Sequence, residues 1–222
     1  MQTRFFFSAL ALVSALPFAS VQAHDNHGAA AQRADAASVA PLAKPKRDPQ
    51  AYFTDRELFT QDGRKVRFYS DVLKGRLVVI NTIFTNCEDA CPLITAQMNA
   101  VRLKLGASFE KDVHFVSISS DPARDTPQAL KKWAAKQSVD VPGWTFLTGK
   151  KSDVDHILQK LGQWSQNIES HSTQLIAWNF ATDRGRKMLP NMPPELLAAQ
   201  ITMLAGSDSL VPLPALVAPK SN

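Results

Sequence analysis

From Glu57 to Val72 the stretch ELFTQDGRKVRFYSDV alternates apolar and polar side chains around Asp62-Gly63, the spacing of a hairpin with a tight turn. Leu77 to Phe84, LVVINTIF, is apolar except at Asn81 and Thr82, which predicts a strand covered on both faces. The period then lengthens: Ile94, Met98, Val101 and Leu105 mark one face of a helix over 93–105. VHFVSIS (113–119) reads as the next strand, and Thr126-Pro127 opens a helix running to Ala135, with Thr126 as its N-cap. WTFLTG (144–149) is a short strand, followed by a helical face of Val154, Ile157, Leu158 and Leu161. TQLIAWNFAT (173–182), with Asp183-Arg184-Gly185 as the turn and RKML beyond it, reads as a second hairpin, and Pro193 to Leu204 as a closing helix.

Strands that alternate with helices between two hairpins predict an α/β sandwich with a mixed central sheet, flanking helices and an N-terminal hairpin. One domain over 52–205 accommodates all of it. Residues 24–51 are rich in Ala, Pro and polar groups without a sustained apolar period, which predicts a tail or linker, and LVPLPALVAPKSN within 206–222 carries three prolines and predicts an extended or disordered tail. Residues 1–23 read as a cleavable export signal: Arg4, then the apolar FFFSALALVSAL, then Val21-Gln22-Ala23 before His24. The apolar run is short of the roughly 20 residues a membrane span needs, so contact with a membrane is expected only through a partner or an uncleaved signal. Removing the signal lowers the formal charge from +5 to +4, with the basic residues scattered; nucleic-acid binding gains no support.

Both cysteines of the chain, Cys87 and Cys91, lie in TNCEDACP at a strand-to-helix junction. With Pro92 in a first helical turn, their i, i+4 spacing would place both sulfurs on one helix face. A bridge between them would close a very short loop and remove little unfolded-state entropy, which argues against a purely structural staple. Two thiols at such a place suit a soft metal or a redox cycle. A dithiol at the end of the first core strand of such a sheet resembles thioredoxin, although C-x-x-x-C is one residue longer than C-x-x-C and leaves room for a metal between the sulfurs.

Three motifs together resemble the SCO/SenC family, proteins associated with cytochrome oxidase assembly: Phe84-Thr85-Asn86-Cys87-Glu88-Asp89-Ala90-Cys91-Pro92, Ser117 through Pro127 (SISSDPARDTP), and His171-Ser172 followed by an apolar strand and Asp183-Arg184-Gly185. The resemblance, to a family of periplasmic or mitochondrial proteins, covers about residues 55–205 and implies a thioredoxin-like fold and a copper site of Cys87, Cys91 and His171; with the cleavable export signal the expected location is the periplasm. Two thiolates and an imidazole suit Cu(I), and Cu(II) with an added oxygen; a structural zinc site wants a fourth protein ligand that the sequence does not name. Glu88 stands where the family often has Pro, and Ser170 where many members have Asp before the histidine.

The implied function is delivery of copper to a respiratory oxidase copper subunit, or another copper-enzyme acceptor, by ligand exchange. The alternatives are a thiol–disulfide oxidoreductase, in which Cys87 and Cys91 cycle to keep a partner's cysteines reduced, and a copper or redox sensor. His24 and His27 form a secondary candidate metal site at the expected mature N-terminus. His114 reads as a structural strand residue, His156 as a surface residue, and Met98 as part of a core stripe. Met188 and Met192 could offer thioethers but are more commonly packing residues. Asp121 and Asp125 read as local caps of a turn and helix start.

Overall fold

The computed structural model describes residues 48–206; the expected export signal (1–23), His24, His27 and the expected C-terminal tail (from 207 on) lie outside the described residues. A short helix α1 (Pro49–Phe53), capped by the Asp48 side chain, leads into the hairpin of β1 (Glu57–Thr60) and β2 (Lys65–Arg67). Gly63 takes φ +75°, a left-handed conformation that glycine adopts without a side-chain penalty. Next come β3 (Leu77–Ile83), α2 (Ala90–Leu105), β4 (Val113–Ser119), α3 (Pro127–Lys136), β5 (Trp144–Gly149) and α4 (Lys151–Leu161). A second hairpin, β6 (Leu175–Asn179) and β7 (Arg184–Met188), precedes α5 (Pro194–Ala205).

The strands form one sheet in the order β2-β1-β5-β4-β3-β6-β7, with β3, β4 and β5 parallel and the outer pairings antiparallel. All seven residues of β3 are buried, as its unbroken apolar run predicts. Leu77, Val79 and Ile83 point into a core closed by α2, α3 and α5, whereas Val78 and Ile80 point into a second core closed by α4. Burying each such aliphatic side chain contributes about 1.5–3 kcal/mol. Asn81, the polar break in the run, accepts a hydrogen bond from Ser117 Oγ, which in turn accepts one from Trp144 Nε1. The fold is thus an α/β sandwich of the thioredoxin-like kind, with the expected mixed sheet and N-terminal hairpin.

Four local details differ from the sequence pattern. Phe68–Leu73 turns into a single π-helical coil instead of extending the hairpin, and it buries Phe68, Tyr69, Val72 and Leu73. α1 has no counterpart in the pattern, because five residues are too few to show a period. The second turn is completed by Asp183 at φ 54°, and Gly185 lies inside β7, where a Cβ would meet the Trp178 ring at 2.2 Å. His156 is half-buried, with Nε2 enclosed and unpartnered among the described residues, so it is not a plain surface residue.

Candidate metal centre

At the C-terminal end of β3 the chain leaves the sheet and crosses to α2 through Phe84–Asp89. One buried carboxylate fixes this crossing. Asp125 accepts hydrogen bonds from the Thr85 amide (3.2 Å), Thr85 Oγ1 (2.5 Å) and Ser119 Oγ (2.5 Å). Ser120 N donates to the Ile83 carbonyl at 2.8 Å, so the ends of β3 and β4 are stitched together beside the cysteines. Burial foremost, and the charge of Asp121, push the Asp125 carboxyl above its ordinary value, while the Ser119 and Thr85 bonds pull it back. Thr126, as the sequence predicts, is the residue that caps α3. Asp125 therefore does more than cap a turn, and SISSDPARDTP is the sequence signal that contains it.

Ala90 is the first residue of α2, so only Cys91 is helical; Cys87 lies in the preceding loop and the two do not share a helix face. The spacing nevertheless brings them together. The Cys91 amide donates to Cys87 Sγ at 3.3 Å, while Asp89, at the N-cap position, makes no side-chain capping bond. Sulfur thus takes one of the orphan amides of the helix start. Both cysteines are unbridged; Cys87 is half-buried and Cys91 is 1 % exposed. Burial foremost, then its hydrogen bond with Cys87, push the Cys91 thiol up to about 12, with the Phe84 backbone working in the opposite direction. A bound cation is the natural means of drawing off that proton.

His171 closes the turn Ile168–Ser170 and is also buried. Its Nδ1 lies 3.0 Å from the Ser172 carbonyl, which can only accept, so the proton belongs on Nδ1 and the lone pair on Nε2. Burial holds the imidazole below its ordinary pKa, which favours the neutral ring that a metal requires. The ring packs edge-on against Phe84 at 5.7 Å, and the Phe84 carbonyl accepts the Cys87 amide at 3.2 Å. Phe84 is thus the common neighbour of the dithiol loop and the histidine. The three residues are not closed into a shell: among the described residues no group of three or more His, Cys, Asp or Glu is arranged to hold a metal ion. Their donor chemistry, two sulfurs and one imidazole nitrogen, fits a soft ion.

The segment carrying His171 is held by a residue that the sequence pattern does not reveal. Gln163, 1 % exposed, accepts from Thr82 Oγ1 on β3 and donates through Nε2 to the Gln174 carbonyl at 2.7 Å. A lone polar residue after a helical face gives no sign of this use. Of the remaining candidates, Met98 and Met188 are core residues and Met192 packs against the same core, which leaves them as packing groups. His114 is a β4 residue whose Nδ1 is buried without a partner among the described residues.

A sequence model of the SCO1/SenC family matches residues 44–202. The SCO1 protein homolog of Bacillus subtilis (strain 168) is 40% identical over 116 residues, which cover 51% of this chain and 58% of that protein. The match therefore spans less than two thirds of that relative's length. A SCO1/SenC family lipoprotein from Bacillus anthracis str. Ames superposes with a TM-score of 0.58 and 29% identity, covering 68% of this chain and 92% of that one. Bradyrhizobium japonicum ScoI with copper bound superposes with a TM-score of 0.57 and 24% identity, covering 67% and 96%, and its likeness concerns the fold.

Proposed function

Since this chain belongs to the SCO1/SenC family, we propose that Cys87, Cys91 and His171 bind one copper ion and pass it to a copper-enzyme acceptor, a respiratory oxidase subunit foremost. The observation that carries this reading is the shared contact at Phe84, whose carbonyl anchors the Cys87 loop and whose ring abuts His171. Cys87 contributes a sulfur already facing the α2 N-terminus, and His171 contributes Nε2 with its tautomer fixed by Ser172. In transfer, thiolates of the acceptor replace these ligands one at a time, so the ion need not enter water. An oxidation-permissive location outside the cytoplasm, the periplasm, fits the export signal read in residues 1–23 and the lipoprotein relative. No helix among the described residues is long and apolar enough to cross a membrane.

The test is anaerobic copper titration of the reduced protein, with sulfur-to-copper charge transfer followed by absorption. One copper per chain is expected, and His171→Ala should weaken binding at least about tenfold, a second-neighbour change alone costing 10–100-fold in metal sites. The same substitution should leave the dithiol reduction potential nearly unchanged. Equal affinity with and without His171 would remove it from the ligand set.

One observation favours a second activity at the same sulfurs. Cys87 is accessible and Cys91 is buried, the asymmetry of an attacking and a resolving thiol. The Cys87 thiolate would attack a partner disulfide and release one partner thiolate. Cys91, giving up its proton, would then attack the mixed disulfide and release the other. The partner gains two electrons, and Cys87 and Cys91 end as a disulfide. Catalytic reduction of a disulfide substrate by metal-free protein would establish this role; its failure would leave the copper reading alone.

A further inference from the structure

Among the described residues, the sheet face opposite the cysteines carries a groove. α1 and α4 cover that face only as far as Phe53 and Leu161, and beyond them no described residue covers the β6–β7 corner. The result is a groove of about 680 Å³ floored by Tyr52, Phe53, Leu161, Ile176 and Trp178. Trp178 lies across β7 at Gly185, where a Cβ would come within 2.2 Å of its ring. An apolar floor is therefore laid directly against the last strand of the sheet.

Cations flank β7 on both faces of the sheet. Lys160 stands over the Tyr52 ring at 5.2 Å and Lys187, opposite Ile176, lies on the groove face, whereas Arg184 and Arg186, opposite Asn179 and Ala177, lie on the α5 face, where Arg186 Nη1 donates to Gln200 Oε1 at 3.2 Å. None of the four forms an ion pair among the described residues. The rim acid, Asp183, already accepts from Trp178 Nε1 at 3.3 Å. Cations on a sheet edge also discourage edge-to-edge aggregation, which accounts for the charges alone. It does not account for an aromatic trough beside them.

We infer that this corner is a docking site for an acidic, extended segment of a partner protein, added along the free edge of β7. Among the described residues β7 pairs only with β6, so its outer backbone groups can extend the sheet. Alternate side chains of such a segment would face the trough, where an aromatic or aliphatic anchor sits on Trp178. The acidic side chains between them would face the other side and meet Arg184 and Arg186, with Lys187 and Lys160 at the rim of the trough. The flanking part of this chain supplies Lys46 and Arg47, like in charge to the rim, and is a poorer match than an acidic partner. The inference is independent of the metal reading, since the dithiol packs against the other core.

The test uses the full chain, ¹⁵N-labelled, titrated with a blocked octapeptide of alternating Glu and Val around one Phe. Saturable shifts are expected at the Trp178 indole and residues 184–187, without shifts at Cys87 or His171, and weakening as salt is added. Lys187→Glu, an exposed change, should weaken binding at least about tenfold, and a peptide with Lys in place of Glu should bind that variant better than the native chain. Binding indifferent to Lys187→Glu, shifts centred elsewhere, or no saturable binding at millimolar peptide would overturn the assignment. So would dodecanoate occupying the Trp178 site while the peptide leaves it unshifted, which would make the groove a small-amphiphile site.

Discussion

The two segments that supply the proposed ligands are held in opposite ways. Cys87 and Cys91 are four residues apart, joined through sulfur and amide at the start of α2, with their loop tied to β4 by the buried Asp125. His171 arrives from a long connection between α4 and β6 that holds only one short turn, Ile168–Ser170. Its attachment to the sheet runs through Gln163, which bridges Thr82 and Gln174, and through the edge of Phe84. The dithiol is thus local and preset, while the imidazole is delivered from a distance by a few polar and aromatic contacts. A centre that must grip an ion and then release it gains from such inequality, because the distant ligand can move without disturbing the near pair.

The comparison breaks most readily at Asp125. Asp125→Ala would strand the Thr85 amide, the Thr85 hydroxyl and the Ser119 hydroxyl in a buried place, at a cost of about 1–3 kcal/mol for each group left unpaired. We expect a loss of at least about 3 kcal/mol in urea unfolding, with Asp125→Asn losing less because it keeps one acceptor. The pH dependence has a definite sign. The folded carboxyl is raised, mainly by burial, so between the ordinary aspartate value and the raised one the folded state holds more proton than the unfolded chain. Stability from this group is therefore present below that window and falls as pH climbs through it. Asp125→Asn should lack that fall; an unchanged slope would show that Asp125 does not titrate there.

Gln163 tests the other half. Gln163→Ala should cost about 1–3 kcal/mol in stability by leaving Thr82 Oγ1 and the Gln174 carbonyl unpaired. It should weaken copper binding about 10–100-fold, the effect of losing a support behind a metal ligand. The rate at which iodoacetamide modifies Cys87 in metal-free protein should stay the same, because the dithiol loop has its own tether. If alkylation changed as much as copper affinity, the two segments would be one cooperative unit and the contrast between them would fail.

The same inequality explains what could be read from the chain. β3, β4 and β5 follow from short, largely apolar runs, the mark of strands covered on both faces, and the helical faces of α2 and α4 from a period of three to four, because each helix must bury one face. Cys87 and Cys91 are conspicuous for their spacing, whereas His171 becomes a candidate only through the family resemblance. Gln163 with Thr82, Phe84 with His171 and Asp125 with Thr85 are contacts between residues about 40 to 90 positions apart, which no local period encodes. Gly185 misleads for a related reason: its missing side chain serves Trp178 on the neighbouring strand, not a turn.

The smallest effect expected lies closest to the sulfurs. Glu88 is exposed next to Cys87, in a position where its charge meets solvent instead of a buried partner. A surface charge at this range contributes about 0–1 kcal/mol and is screened by salt. Glu88→Gln should therefore shift copper affinity by no more than about fivefold at low ionic strength, toward weaker binding because an anion beside a cation has been removed. At about 1 M salt, where the screening length is about 3 Å, the variant and the native chain should coincide. A larger, salt-independent loss would mean that the Glu88 carboxylate reaches the ion itself. The near segment would then supply three ligands, and His171 would be needed for release more than for grip.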